Sequence, residues 1–287
     1  VIYAVASGKG GTGKTTVSSS LAALWDAPAA LVDLDVEEPN LHLFLNPDLS
    51  SVEKAWIEVP EADEDKCTRC RACADLCQFK AITVMADTLL VFPEMCHGCG
   101  GCLAVCPEGA LFPGRRELGE ICKGMAGRHR FVMGRLRVGE AMSPPLMRQI
   151  RELFPALAKD GDILIDAPPG VSCPAINAVA DADCIVLVTE PTPFGFHDFK
   201  LAWEAFTPLG KPMGAVINRA DLGDSQVTDF CRDNNIPVWA EIPYSRDIAQ
   251  AYSRGEIIAT MLKGLEPVFT TLRDRMRAAA RKEATHA

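Results

Sequence analysis

The chain has 287 residues, 48% of them hydrophobic, and 38 acidic against 29 basic side chains give it a formal net charge of −9. That charge opposes attraction to nucleic-acid phosphates and anionic lipid, so neither nucleic acid nor a membrane is an expected partner. No apolar run reaches the ~18 residues needed to span a bilayer, and the opening "VIYAVAS" reads as a strand without a leader pattern, so a cytoplasmic protein with one large domain and a small module is expected.

The first expected strand, Ile2–Ala6, runs into "GKGGTGKT", residues 8–15, which fits G-x-x-x-x-G-K-[ST] between a strand and a helix expected over 14–25. In such a loop Gly8, Gly10, Gly11, Thr12 and Gly13 wrap the backbone so that N–H groups face phosphate oxygens at a helix N-terminus. Lys14 is expected to reach the β and γ phosphates and the Thr15 hydroxyl to ligate Mg²⁺, with Thr16 beside it. ATP or ADP with Mg²⁺ is the expected ligand. The competing reading, a glycine-rich turn with a solvated lysine, leaves the flanking strand and helix without a purpose. A second strand, Ala29–Asp33, leads into "LVDLDVEEPNLHLFL", with Asp33 and Asp35 at its polar end.

Between about 59 and 113 the alternation of strand and helix breaks and cysteines take over. "CTRCRACADLC" and "CHGCGGCLAVCP" share the spacing C-x2-C-x2-C-x3-C. Three thiolates so spaced clasp three corners of a cubane, and the last cysteine of the other run supplies the fourth. Cys67, Cys70, Cys73 and Cys106 are therefore assigned to one [4Fe-4S] cluster, and Cys77, Cys96, Cys99 and Cys102 to a second, the pattern of bacterial two-cluster ferredoxins. Zinc is the alternative, but structural zinc sites take their ligands as separated pairs. Gln78 follows Cys77 where the repeat usually has proline, as Pro107 follows Cys106. Ala72, Gly98, Gly100 and Gly101 leave room for backbone N–H groups near the sulfides. The chain thus divides into a domain over 1–58 and 114–287 and an insert over 59–113.

After the insert a short antiparallel excursion is expected, with Gly119, Gly124, Gly127 and Gly134 as its turns. A helix over 144–158 and a strand Asp162–Asp166, inside "ILIDAPPG", follow. Strands Cys184–Thr189, Met213–Asn218 and Val238–Ile242 then alternate with helices over 174–180, 197–207, 224–234 and 246–254. The whole reads as a doubly wound, mainly parallel α/β sheet of P-loop NTPase type with an inserted module. Val268, Phe269, Leu272 and Met276 give the C-terminal segment a helical stripe suited to packing on the core rather than to a membrane.

Lys9, directly after the first glycine, makes "KGGTGKT" resemble the deviant Walker A loop of the MinD/ParA/Mrp ATPases. The resemblance implies that Lys9 crosses a dimer interface to the partner's phosphates, so a homodimer on ATP binding is expected. It further implies that Asp35 orients the attacking water, that Asp33 lies close to the metal, and that Asp166 holds Mg²⁺ through water with Gly170 free to move toward the γ-phosphate. Asn218 of "VINRA" would bond adenine, and Pro243 of "EIPYSRDIAQAYSRGEII" would lie beside its ring. With the cysteine runs, the chain resembles superfamily members that carry an inserted ferredoxin domain.

The expected function is ATP-gated electron transfer through the two clusters to a redox partner; the alternatives are iron–sulfur assembly or carriage for a client protein, and MinD/ParA-like positioning with a redox-sensing or partner-docking module. Carriage needs an exposed extra cysteine set, for which only Cys122 and Cys173 are available, and the C-terminal Cys-Pro-x-Cys pair of Mrp-type carriers is absent. Cys184 and Cys231 are expected to be buried.

Overall fold

The computed structural model describes residues 1–284, with side chains through residue 281. The chain forms two compact units: Val1–Val52 with Ile121–Arg135 and Met147–Ala287, and Glu53–Glu120 with Leu136–Leu146. The second unit extends beyond the cysteine-rich stretch of 59–113 because two long strands carry the chain into and out of it.

The strands are β1 (Ile2–Ala6), β2 (Ala29–Asp33), β3 (Asp48–Ala62), β4 (Ile82–Met85), β5 (Thr88–Val91), β6 (Leu111–Ala126), β7 (His129–Leu136), β8 (Asp162–Asp166), β9 (Cys184–Thr189), β10 (Met213–Asn218) and β11 (Val238–Ile242). In the first unit the sheet order is β11-β10-β9-β1-β8-β2-β7, continued by parts of β6 and β3. The pairs from β11 to β7 are parallel. Helices on both faces bury these strands, whose sequences are accordingly almost wholly apolar. The helix Glu266–Ala284 lies against the core through Phe269, Leu272 and Met276, all fully buried. Arg277 of that helix stacks on Trp25 at 4.6 Å and pairs with Asp26. The C-terminal stripe thus serves the core; the last residues of that segment, 285–287, lie outside the described residues.

The second unit holds the antiparallel hairpin β4–β5 and a small core of Ile82, Val84, Leu89 and Leu111 with Cys73. Short helices Ala72–Leu76 and Gly101–Ala104 begin just before the third cysteine of each run.

Several expectations are corrected. Of the four glycines expected as turns, only Gly127 (φ +58°) turns the chain; Gly119, Gly124 and Gly134 lie inside β6 and β7. Gly124 is needed because a Cβ there would stand 2.1 Å from the Asp48 carbonyl oxygen of the neighbouring strand. The expected helix 144–158 breaks into Pro144–Arg151 and Phe154–Leu157, since Pro155 has no N–H to continue the ladder. The helix expected from 197 starts at Pro193, where the Thr192 hydroxyl accepts from Gly195 N at 3.0 Å.

Gly124→Ala should lower stability by about 1–3 kcal/mol, the usual cost of forcing a group into a filled space. Gly127→Ala should cost roughly 1 kcal/mol through its left-handed backbone. Chemical denaturation of the two variants checks both, and a neutral Gly124→Ala would contradict the close approach of β3 and β6.

Candidate functional site: a P-loop crevice and two cysteine-lined cavities

Strand register builds the first site. Asp33 at the end of β2 stands beside Asp166 at the end of β8, and Val5 of β1 stands on Asp166's other side. The loop leaving β1 therefore curls over two buried carboxylates at the carboxyl edge of a parallel sheet, where α/β folds bind ligands. Gly11 (φ +80°) and Gly13 (φ +97°) carry the loop into the helix Lys14–Ala23. Gly8 is pressed against the Asp198 backbone and Gly13 against the Asn218 amide, so neither place has room for a Cβ.

Lys14, almost fully buried, puts Nζ 3.1 Å from Asp166 Oδ1 and 3.8 Å from Asp35 Oδ2. Asp166 also accepts from Thr15 Oγ1 at 2.9 Å and from Ser18 Oγ at 2.8 Å. Burial alone would pull Lys14 down, but the Asp166, Asp35 and Asp33 carboxylates hold it above its ordinary value. Burial and the Asp166 charge push Asp33 up to about 8, against the pull of Lys14 and the Leu41 N–H. Burial likewise raises Asp35 to about 6 despite Lys14. Three carboxylates thus surround one ammonium.

Above them a cavity of about 430 Å³ is lined by Gly10, Gly11, Gly13, Lys14, Thr15, Thr16, Asp35, Asn218 and Pro243, with Tyr244, Ile248 and Tyr252 on its wall. The Thr12 hydroxyl is buried without a hydrogen-bond partner. Carboxylates in excess of positive charge and a loop of backbone N–H groups fit a magnesium nucleotide. No group of three His, Cys, Asp or Glu among the described residues is arranged to hold a metal ion by itself.

Four expected residues have partners within the chain that the sequence does not show. Lys9 is held within its own subunit by Glu190 Oε1 at 2.8 Å. Asp33 accepts from the backbone N–H groups of Asp35, Asn40 and Leu41, so it orders the loop after β2. Gly170 donates its N–H to the Ser7 carbonyl at 2.8 Å. Asn218 lines the cavity, but one of its amide N–H groups is already given to the Thr12 carbonyl at 2.8 Å. Sequence reasoning missed Ser18 and Glu190; Ser18 lies one helical turn beyond Lys14, a spacing that could have flagged it.

In the second unit each of two cavities has four cysteines on its wall. Cys67, Cys70, Cys73 and Cys106 line one, and Cys77, Cys96, Cys99 and Cys102 line the other. The second is roomy at about 280 Å³. The first is narrow at about 20 Å³, so a group there would rely on the donor set rather than on existing space. Backbone N–H groups of Gly98 and Ala110 point at Cys96 Sγ (3.4 Å) and Cys106 Sγ (3.2 Å). Four soft sulfurs on the wall of one void are the donor set of a thiolate-bound metal centre, the class to which iron–sulfur clusters belong. Outside these cavities Cys122, Cys184 and Cys231 are buried and Cys173 is exposed. Cys122 and Cys173 therefore do not form the exposed set that cluster carriage needs.

Asp35 is raised above its ordinary 3.8 to about 6, so its contribution to stability is full below about pH 4 and is lost as pH rises through 6. Asp35→Asn removes the buried charge and should stabilise the nucleotide-free protein at pH 7.5 by roughly 1–2 kcal/mol. The advantage should fade by pH 4.5. Melting curves at the two pH values check this; a destabilised variant at pH 7.5 would show that the Lys14 pairing outweighs burial.

The model of the CobQ/CobB/MinD/ParA nucleotide binding domain matches residues 3–258. An uncharacterized protein of Methanocaldococcus jannaschii is 30% identical over 261 residues, 89% of this chain and 90% of that one. A stretch of 60 residues, 20% of this chain and 9% of the relative, is 42% identical to the indolepyruvate oxidoreductase subunit IorA of Pyrococcus horikoshii. In fold the chain is similar to the septum site-determining protein MinD of Pyrococcus horikoshii, solved in complex with Mg-ADP. The TM-score is 0.59 at 20% identity, over 96% of this chain and 94% of that one. Strand register, P-loop and sequence converge: the chain belongs to the CobQ/CobB/MinD/ParA family of nucleotide-binding domains.

Proposed function

We propose that the protein is an ATP-hydrolysing switch of the MinD/ParA kind, which dimerises with ATP and Mg²⁺ and meets a partner through its cysteine-built module. The observation that supports this most is the buried Lys14 with Asp166, Thr15 and Asp35 beneath a P-loop cavity. Lys14 and the loop N–H groups bind the phosphates, and the Thr15 hydroxyl and Asp166 hold the metal, with Ser18 keeping the Asp166 carboxylate in place. Mg²⁺, when bound, supplies a Lewis acid that neutralises charge on the β and γ phosphates. Asp35 orients a water for attack on the γ-phosphorus, where a new P–O bond forms as the bond to the ADP oxygen breaks. Lys9 leaves Glu190 to reach the partner's phosphates across the two-fold axis, where its charge stabilises the transferring group.

On the same reading the two cavities hold one [4Fe-4S] cluster each, with the last cysteine of each run serving the other run's cluster. The clusters, when bound, supply one-electron redox centres. This makes the module a redox sensor or a docking element. A second reading, ATP-gated electron transfer, draws support from the likeness to an oxidoreductase subunit over 60 residues; the family match favours the switch. Cluster carriage is the least supported, given the burial of Cys122.

Lys14→Ala should abolish nucleotide binding. Lys9→Ala should keep binding but stay monomeric with ATP by light scattering, and hydrolyse about 10²–10³-fold more slowly. A Lys9→Ala protein that dimerises and hydrolyses normally would remove the trans role of this lysine. Anaerobic protein should carry about eight irons, as two four-iron clusters require. Cys106→Ser should spare the cluster of Cys96, Cys99 and Cys102 and damage the other, with Cys77→Ser doing the reverse; spectra in which each variant loses its own run's cluster would defeat the crossing.

A further inference from the structure

The two cysteine runs share a spacing but differ in what fills it. In the second, Cys99 is flanked by Gly98 (φ +65°) and Gly100 (φ +70°); in the first, the same steps around Cys70 are Arg69 (φ +59°) and Arg71 (φ +69°). The left-handed region suits glycine and penalises other residues. A Cβ at Gly100 would meet nothing within 4 Å, so in that sister loop the obstacle to a side chain at this step is torsional. The first run accepts that torsional penalty twice within three residues. Strain kept where glycine would relieve it points to a use for the side chains.

Arg69, Cys70 and Arg71 are all exposed. Arg69 is anchored, its guanidinium donating to the carbonyls of Asp87 and Cys67. Among the described residues the Arg71 side chain makes no hydrogen bond or ion pair, while its backbone carbonyl accepts from the Asp75 N–H. The wall of the first cavity carries Arg69 and Arg71 against the single carboxylate of Glu108, whereas the second wall carries Glu58 and His97 and no lysine or arginine. The cationic spot is confined to these side chains, because from Glu58 to Pro113 nine acidic residues face four basic ones on a chain of net charge −9. An extended polyanion or a flat anionic membrane would feel the whole negative field; a compact acidic protein can meet the spot alone.

We propose that the loop 67–73 is a docking surface for a small acidic redox protein, with Arg69 and Arg71 as cationic contacts on either side of Cys70. The proposal rests on the reading of these cysteines as cluster ligands. Arg71 carries the interaction, because Arg69 also serves the loop's own geometry. The second loop, closed by glycines and by the Phe79–His97 ring stack at 3.6 Å, has no such contact.

The test uses the full chain purified without oxygen, with an acidic plant-type [2Fe-2S] ferredoxin as the probe, binding being measured by calorimetry at low and high salt. Wild type should bind at low salt and weaken as salt rises. Arg71→Gly should bind at least tenfold more weakly, with unchanged iron content and an equal or higher melting temperature, because glycine relieves the left-handed strain. Arg71→Lys should retain most of the affinity, and Lys159→Glu, in the other unit, should change nothing. Equal affinity of Arg71→Gly and wild type, no binding by wild type, or a preference for anionic vesicles or an oligonucleotide would overturn the docking surface. Loss of iron in Arg71→Gly would overturn it as well, by making the arginine structural. A wild-type chain that holds no iron would instead defeat the cluster reading, and the docking proposal with it.

Discussion

The nucleotide site depends on one arrangement of buried charge: Lys14 set among Asp166, Asp35 and Asp33. Parallel register forces it, since pairing β2 with β8 puts Asp33 and Asp166 side by side with almost no exposure. Burial and the Asp166 charge together disfavour ionisation of Asp33, and the Lys14 ammonium does not offset them. The arrangement is poor as a device for stability and well suited to a ligand that brings positive charge. Its surroundings follow from the same need: Ser18 and Thr15 donate to Asp166, and backbone N–H groups hold Asp33 and with it the loop after β2.

Glu190 extends this arrangement outward. Buried at the end of β9, it holds Lys9 at 2.8 Å and Arg219 at 2.8 Å. A P-loop lysine and a residue on the wall of the nucleotide cavity thus share one carboxylate, and a charge arriving near either changes what the other gains from it. For a switch of the proposed kind, such sharing gives the empty loop a defined resting geometry instead of a solvated lysine. The cysteine module rests on different physics, with little apolar core of its own and four sulfurs around each void.

Sequence reading found what depends on local pattern. The six strands from β1 to β11 that lie deepest are short apolar runs ended by polar residues, and their limits are visible for that reason. The P-loop and the cysteine runs have fixed spacing, so their residues were legible by number. What escaped depends on pairing. β3 alternates exposed Lys54, Trp56 and Glu58 with buried Ala55, Ile57 and Val59, a weak signal beside the cysteines that follow. β6 contains glycines that look like turns but serve close strand approach, as at Gly124. Ser18 and Glu190 lacked a signal of comparable strength, because their partners lie on β8 and in the P-loop, which only the folded sheet brings near.

The central claim is that the buried carboxylates await a magnesium nucleotide, and proton release tests it most directly. Asp33, raised to about 8 by burial and the Asp166 charge, keeps a proton at pH 7 that an arriving Mg²⁺ should expel. Calorimetric titration of preformed Mg-ADP into the full chain at pH 7, repeated in two buffers of different ionisation enthalpy, counts the protons released. The account predicts net release, diminished in Asp33→Asn. Nucleotide binding with no release, and with equal affinity in the presence of excess chelator, would contradict it.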